Sequence, residues 1–109
     1  MQAGEYIEAR ITLLTTAEGG RKHPYINITG WNDMDHPLSR MPGEELFHRT
    51  IFIEAPQKVE LGESFDATLW LMWFPKDAYE DYQADHEFDL FEGNHLIGRG
   101  TIIRRFSVG

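Results

Sequence analysis

The side chains best placed by type and spacing to do chemistry are two aspartates and a histidine within four residues. Asp33, Asp35 and His36 lie among glycine, asparagine and proline residues, where a loop is expected. Carboxylate and imidazole groups can ligate a divalent cation or transfer protons. One hypothesis is therefore a small enzyme that uses the long loop at about residues 27–45, and the alternative interpretation is a solvated loop.

Other familiar catalytic patterns are missing from the sequence. It has no Gly-x-x-x-x-Gly-Lys-Ser/Thr loop for nucleotide phosphates, and no serine lies in a Gly-x-Ser-x-Gly turn. His86-Glu87 is followed by Leu90 where a zinc-protease helix needs its second histidine. The chain has no cysteine, which excludes disulfides, thiol catalysis and thiolate metal sites. We therefore predict a protein that is not an enzyme and that binds no metal, cofactor or nucleotide.

The charge balance limits the classes of partner. The chain has 18 acidic and 10 basic residues, a formal net charge of −8. Because contacts to phosphates need lysine and arginine, this balance disfavours nucleic acid. The longest apolar run, residues 69–75, is far shorter than the roughly 20 residues that a membrane helix needs. The N-terminal residues do not resemble a signal peptide, so the cytoplasm is the expected location.

Apolar residues recur at every second position, which is typical of β-strands. On the first strand, the side chains predicted to face the core are Ile7, Ala9, Ile11 and Leu13, and those predicted to face solvent are Glu8, Arg10 and Thr12. Further strands are predicted at residues 46–54, 58–61, 65–74, 86–91 and 95–106, the last two joined by a tight turn at Gly93-Asn94. With no long amphipathic helix, the pattern predicts one all-β domain over residues 1–109, a small barrel or sandwich.

Residues 69–74 are apolar on both faces of their predicted strand. One face fills the core, and the other presents Trp70, Met72 and Phe74, which need cover of their own. Cover comes either from the 27–45 loop, in which case Trp31 or Leu38 should contact this face, or from a protein partner, a second copy of the chain included. We therefore name Trp70, Met72 and Phe74 as candidate partner-binding residues.

Two motifs resemble the third, C-terminal β-barrel domain of elongation factor Tu. Residues 6–25 contain a strand, a Glu-Gly-Gly-Arg sequence and a Pro-aromatic pair, as at the start of that domain. Residues 88–103 resemble its closing hairpin, with a Glu-Gly turn followed by a Gly-x-Gly strand. The resemblance extends from Tyr6 to about Phe106 and implies a closed antiparallel barrel of about six strands, of Greek-key type.

The resemblance also sets expectations about RNA. In that family the closing hairpin belongs to the side that meets RNA; Glu92 and Gly93 match it here, whereas Phe91 stands where the family has an arginine. Residues 27–45 replace a further part of the family's transfer-RNA and partner surface, and GTP hydrolysis does not carry over. The leading hypothesis is a non-catalytic module that binds a protein partner. The second is weak RNA binding through Glu92, Gly93, Arg104 and Arg105.

Overall fold

The strands of the chain close into a six-stranded antiparallel barrel. A computed structural model describes residues 1–72 and 79–109. Its strands are β1 Gly4–Leu13, β2 Tyr25–Ile26, β3 Leu38–Arg40, β4 His48–Glu54, β5 Lys58–Val59, β6 Ser64–Leu71, β7 Glu87–Glu92 and β8 His95–Val108. The order around the barrel is β1–β6–β4–β3–β7–β8, and β2 pairs with β5 in a separate ladder. The prediction of a small all-β barrel is confirmed.

The alternation predicted for β1 supplies one wall of the core. Its inward side chains are all between 0 and 1% exposed: Ile7, Ala9, Ile11 and Leu13. They pack beside β6, whose inward side chains are also buried: Ala67, Leu69 and Leu71. On the outward face Arg10 is exposed, while Glu8 and Thr12 are half-buried. The predicted core face of the first strand is therefore confirmed.

The closing hairpin joins β7 to β8 at the predicted position. Glu92 pairs with His95, which leaves Gly93 and Asn94 at the tip of the turn. Gly93 has a φ of 59°, the left-handed conformation that a two-residue turn requires and that glycine adopts without strain.

Gly100 on β8 is needed because an aromatic ring occupies the space where a side chain would be. It pairs with Phe88, which is completely buried. A Cβ atom at position 100 would lie 2.4 Å from the Phe88 ring. The Gly-x-Gly pattern of this strand therefore lets the Phe88 ring fill the barrel interior.

We expect Gly100→Ala to lower the free energy of unfolding by about 1–3 kcal/mol, because the added methyl group overpacks the core. Urea denaturation followed by circular dichroism measures the change. Thr101→Ala, at the exposed neighbouring position, is the control and should stay within about 0.5 kcal/mol of the wild type. Equal stability of the two variants would contradict this account of Gly100.

The segment predicted as a long loop, residues 27–45, contains a barrel strand. Leu38 of β3 pairs with Arg49 of β4 on one side and with Phe91 of β7 on the other. Short 3₁₀ turns at Ile28–Gly30 and Asp33–Asp35 precede it. The structure differs from the prediction here because the backbone of β3 pairs with the edges of β4 and β7. Without β3, the N–H and C=O groups along those two edges would have no partners in the sheet.

The end of β6 also differs from the predicted strand. The strand ends at Leu71, so Met72 lies beyond it rather than on one strand face with Trp70. Phe74 lies outside the described residues. Over residues 1–72 and 79–109, no helical segment has the length and apolar character that a membrane crossing requires.

Candidate binding cleft

A row of large apolar side chains crosses the outer face of four neighbouring strands. In register across β4, β6, β1 and β8 these are Ile51, Trp70, Tyr6 and Phe106. The rings of Tyr6 and Phe106 stack with centroids 5.5 Å apart. Tyr6 is only 1% exposed, although it is on the outer face, and its hydroxyl donates to the carbonyl oxygen of Gln2 at 2.5 Å. The N-terminal residues therefore cover part of this row.

A cleft of about 300 Å³ opens beside the uncovered part of the row. Trp70 of β6 and Trp31 of the segment before β3 both line it, and both are half-buried. Trp31 is held in place because its Nε1 donates to the carbonyl oxygen of Ile26 at 3.1 Å and its ring packs edge-on against Tyr25. Asp33, an acidic residue, also lines the cleft.

His36 fastens the wall of this cleft to the barrel. Its Nδ1 accepts a hydrogen bond from the Phe52 backbone N–H at 3.0 Å, so the ring proton is on Nε2, which donates to the carbonyl oxygen of Trp31 at 3.2 Å. Burial lowers the pKa of His36, and this outweighs the Trp31 carbonyl and the two nearby carboxylates, Asp33 and Asp35, which favour the charged ring. The imidazole is therefore a neutral structural group with both nitrogens engaged.

The side chains that the 27–45 segment offers for catalysis or metal binding are not arranged as a site in the described structure. His36 is 4% exposed, whereas Asp33 and Asp35 are exposed. Among the described residues, no group of three or more histidine, aspartate or glutamate side chains is arranged to hold a metal ion. Asp33, Asp35 and His36 are thus close in space but are not assembled as a ligand set.

Of the predicted partner-binding residues that the structure describes, Trp70 lines the cleft and Met72, although half-buried, does not. Trp31, which is expected to contact this face if the 27–45 segment covers it, lines the same cleft as Trp70. Leu38 lines a different groove. The cover is incomplete, because Trp70 keeps part of its surface open to solvent.

Glu92, one of the two closing-hairpin residues that matched the RNA side, is part of a structural junction. Arg21 forms an ion pair with Glu92, and its guanidinium lies 3.7 Å from the centre of the Tyr25 ring. His95 Nε2 forms a hydrogen bond to the carbonyl oxygen of Gly19. These contacts join the Glu-Gly-Gly-Arg sequence to the hairpin, so the two motifs that carry the resemblance form one corner of the barrel.

The two arginines named for RNA binding lie far from that hairpin. Arg104 forms an ion pair with Glu8 at 2.6 Å, and this hydrogen bond lowers the pKa of Glu8. Arg105 forms an ion pair with Glu5 and donates to the carbonyl oxygen of Tyr79 at 2.6 Å. Because β8 extends between them and the hairpin, roughly 30 Å of strand separates the two halves of the predicted RNA site.

A buried polar cluster was not predicted from the sequence. Ser39 Oγ lies 2.7 Å from the Tyr82 hydroxyl, which lies 3.3 Å from His48 Nδ1. Burial lowers the pKa of His48 and raises that of Tyr82. Ser39 is completely buried, so its hydroxyl is closed to substrate and serves to hold β3 in place. No spacing in the sequence connects the three residues, because the fold alone brings them together.

No protein-family model matches this chain, and no curated protein matches it. The functional argument therefore depends on the cleft and on the charges of the described residues. The relation to the elongation factor Tu domain stays a prediction from residues 6–25 and 88–103.

Proposed function

We propose that this protein is a non-catalytic binding module that engages a protein partner through the cleft between Trp31 and Trp70. The observation that supports the proposal is the pairing of two half-buried tryptophans, from distant parts of the chain, at one open cleft. Trp70 lies on the outer face of β6, whose inward positions are filled by other residues, whereas Trp31 also packs against the edge of the core. Exposed aromatic side chains in a cleft are typical of residues that anchor a partner.

The dimensions and lining of the cleft favour a partner's side chain as its occupant. A volume of about 300 Å³ is at the lower end of the range for small-molecule sites. The aromatic walls suit an apolar anchor residue, and Asp33 can pair with a basic residue beside it. The net charge of −8 supports a protein partner over nucleic acid and speeds association with a basic surface. The cytoplasm is the setting we propose.

We further propose that the chain is a domain of the elongation factor Tu C-terminal type. Two observations support this relation. The barrel has six antiparallel strands, and the Arg21–Glu92 ion pair connects the two motifs on which the resemblance depends. Because a fold does not determine a function, the translation-related role of that family does not follow from the relation.

Trp70→Glu tests the proposed binding cleft. We expect the variant to remain folded, because Trp70 is on the outer face, and to bind the partner at least about 30-fold more weakly, as expected for a residue that contributes about 2 kcal/mol. Partners are first captured from cell lysate with the wild-type chain and identified. The affinity of each purified candidate is then measured by calorimetry.

Ile103→Glu is the matched control, because it adds the same charge at an exposed apolar residue that does not line the cleft. A partner bound by the wild type and by Ile103→Glu but not by Trp70→Glu supports the proposal. If Trp70→Glu fails to fold, Thr29→Trp fills the cleft from an exposed position and should block binding equally. Equal binding by all variants would refute it, and capture of transfer RNA in place of protein would favour the second hypothesis.

A further inference from the structure

Five of the seven arginines of this acidic chain have a carboxylate partner. The ion pairs are Arg10–Asp66, Arg21–Glu92, Arg99–Asp89, Arg104–Glu8 and Arg105–Glu5. Within residues 1–72 and 79–109, Arg40 and Arg49 have no carboxylate partner. In this part of the chain Arg49 donates to the backbone carbonyl oxygen of Asp33, at 3.1 Å, and Arg40 has neither an ion pair nor a hydrogen bond.

These two arginines extend from the same outer face of adjacent strands. Arg49 on β4 is the register partner of Leu38 on β3, and Arg40 follows Leu38 by two residues. Side chains two residues apart on a strand share a face, so Arg40 and Arg49 form a diagonal cross-strand pair, with Cβ atoms roughly 7–8 Å apart. Without bound anions, two neighbouring like charges are unfavourable.

Aromatic rings hold the Arg40 guanidinium in position. It lies 4.7 Å from the centre of the Phe47 ring and 4.6 Å from that of Phe91. The Nε atom of Arg40 is buried and has no hydrogen-bond acceptor among the described residues, whereas its two terminal nitrogens remain accessible to solvent. A stacked guanidinium is already oriented, so less side-chain entropy is lost when it binds an anion.

A groove of about 250 Å³ lies beside Arg49. Arg49, Leu38 and Phe91 line it, so it extends from one arginine to the ring on which the other is stacked. Two acidic residues also line it: Glu92, which is paired with Arg21, and the exposed Asp35. Asp89, the register partner of Arg40, is paired with Arg99. Of the two acidic residues that line the groove, Asp35 is therefore the one that takes part in none of these ion pairs. Its carboxylate would repel an anion bound in the groove.

We propose that Arg40 and Arg49 form a binding site for a phosphate monoester, with Phe47 and Phe91 holding the Arg40 guanidinium in place. A phosphate monoester has a charge of about −1.5 to −2 and three acceptor oxygens, which matches two guanidinium groups. A lone carboxylate matches only one of them. The groove adjoins the tryptophan cleft, since His36 lines both, but the proposal does not depend on the function proposed for that cleft.

The global charge distinguishes a monoester from a nucleic-acid backbone. At physiological ionic strength the Debye length is about 8 Å, so a small phosphate senses mainly the two arginines and the adjacent Asp35. A nucleic-acid strand would place many phosphates against a chain of net charge −8 and gain few cation contacts. The phosphate is therefore that of a phosphorylated side chain or a small phosphorylated metabolite.

Titration by nuclear magnetic resonance tests the site, with phenyl phosphate and O-phosphoserine as probes at pH 7.5 and constant ionic strength. We expect saturable shifts at the Arg40 and Arg49 Nε signals. Binding should weaken by at least about 10-fold in Arg40→Gln and in Arg49→Gln, because each removes hydrogen bonds from a charged donor. It should strengthen in Asp35→Asn, and it should weaken at pH 5.5, where the phosphate loses its second charge.

Arg10→Gln is the matched control, because it makes the same change of charge at an exposed arginine on the first strand, and it should bind like the wild type. Arg40→Lys, which keeps the charge but not the planar fork, should bind more weakly if stacking orients the group. Comparison of the two probes shows whether an amino-acid or an aromatic carrier is preferred. Undiminished binding by both glutamine variants, or tighter binding of an RNA oligonucleotide at the same residues, would overturn the proposal.

Discussion

Replacing Ile11 with alanine is expected to lower the free energy of unfolding by about 2–5 kcal/mol. Ile11 is completely buried on β1, with Phe65 of β6 and Gly100 of β8 as its register partners. The substitution removes buried methyl and methylene groups and leaves a cavity. Gly100 has no side chain that could fill this space, and the Phe88 ring that replaces it is already in close contact. Urea denaturation at neutral pH measures the loss.

Arg10→Ala is the control on the opposite face of the same strand. Arg10 pairs with Asp66 at 3.0 Å, but both side chains are at least 60% exposed, so solvent screens the ion pair and its loss should change stability little. A large difference between the two variants is expected. If Ile11→Ala were as stable as Arg10→Ala, the inward face of β1 would not be a principal part of the core.

The parts of the fold that sequence predicted are those that depend on neighbouring residues. The alternation from Ile7 to Leu13 is visible in the sequence itself, because successive residues of a strand face opposite sides of the sheet. The turn at Gly93 is also local, since a two-residue hairpin needs a residue that adopts a positive φ. These features gave the all-β class and most of the long strands.

β3 could not be predicted because nothing local favours it. It has three residues, follows Pro37, and contains Ser39 and Arg40, neither of which favours strands. Its stability comes from β4 and β7 on its two sides and from the buried Ser39–Tyr82 hydrogen bond. The pairing with β7 and the hydrogen bond to Tyr82 are non-local, so they exist only after the barrel has closed.

The candidate sites combine predicted and unpredicted residues for the same reason. Trp70 stands out in the sequence because its predicted strand is apolar on both faces, and Trp31 or Leu38 is expected to contact it if the 27–45 loop covers that face. The cover of Tyr6 by the N-terminal residues, and the pairing of Arg40 with Arg49 across two strands, need the register of the strands. A sequence shows which arginines exist, but only the structure shows which ones have carboxylate partners.

His36→Ala is expected to lower the free energy of unfolding by about 2–4 kcal/mol, which combines a cavity with a buried Phe52 N–H that loses its acceptor. The pKa of His36 is below its ordinary value because the ring is buried. Between that ordinary value of about 6.5 and the folded value, the unfolded chain binds more protons than the folded chain. Stability is therefore complete above pH 6.5 and declines as the pH falls through this window.

Denaturation at pH 7.5 and pH 5.5 checks this dependence in the wild type and in His36→Gln. Glutamine does not titrate, so the variant, although less stable at both pH values, should lose less stability on acidification than the wild type does. Part of the decline should remain, because burial also lowers the pKa of His48. His23→Gln, at an exposed histidine, is the control and should follow the wild-type profile. An identical pH dependence in the wild type and in His36→Gln would show that burial does not hold the His36 ring neutral in the folded chain.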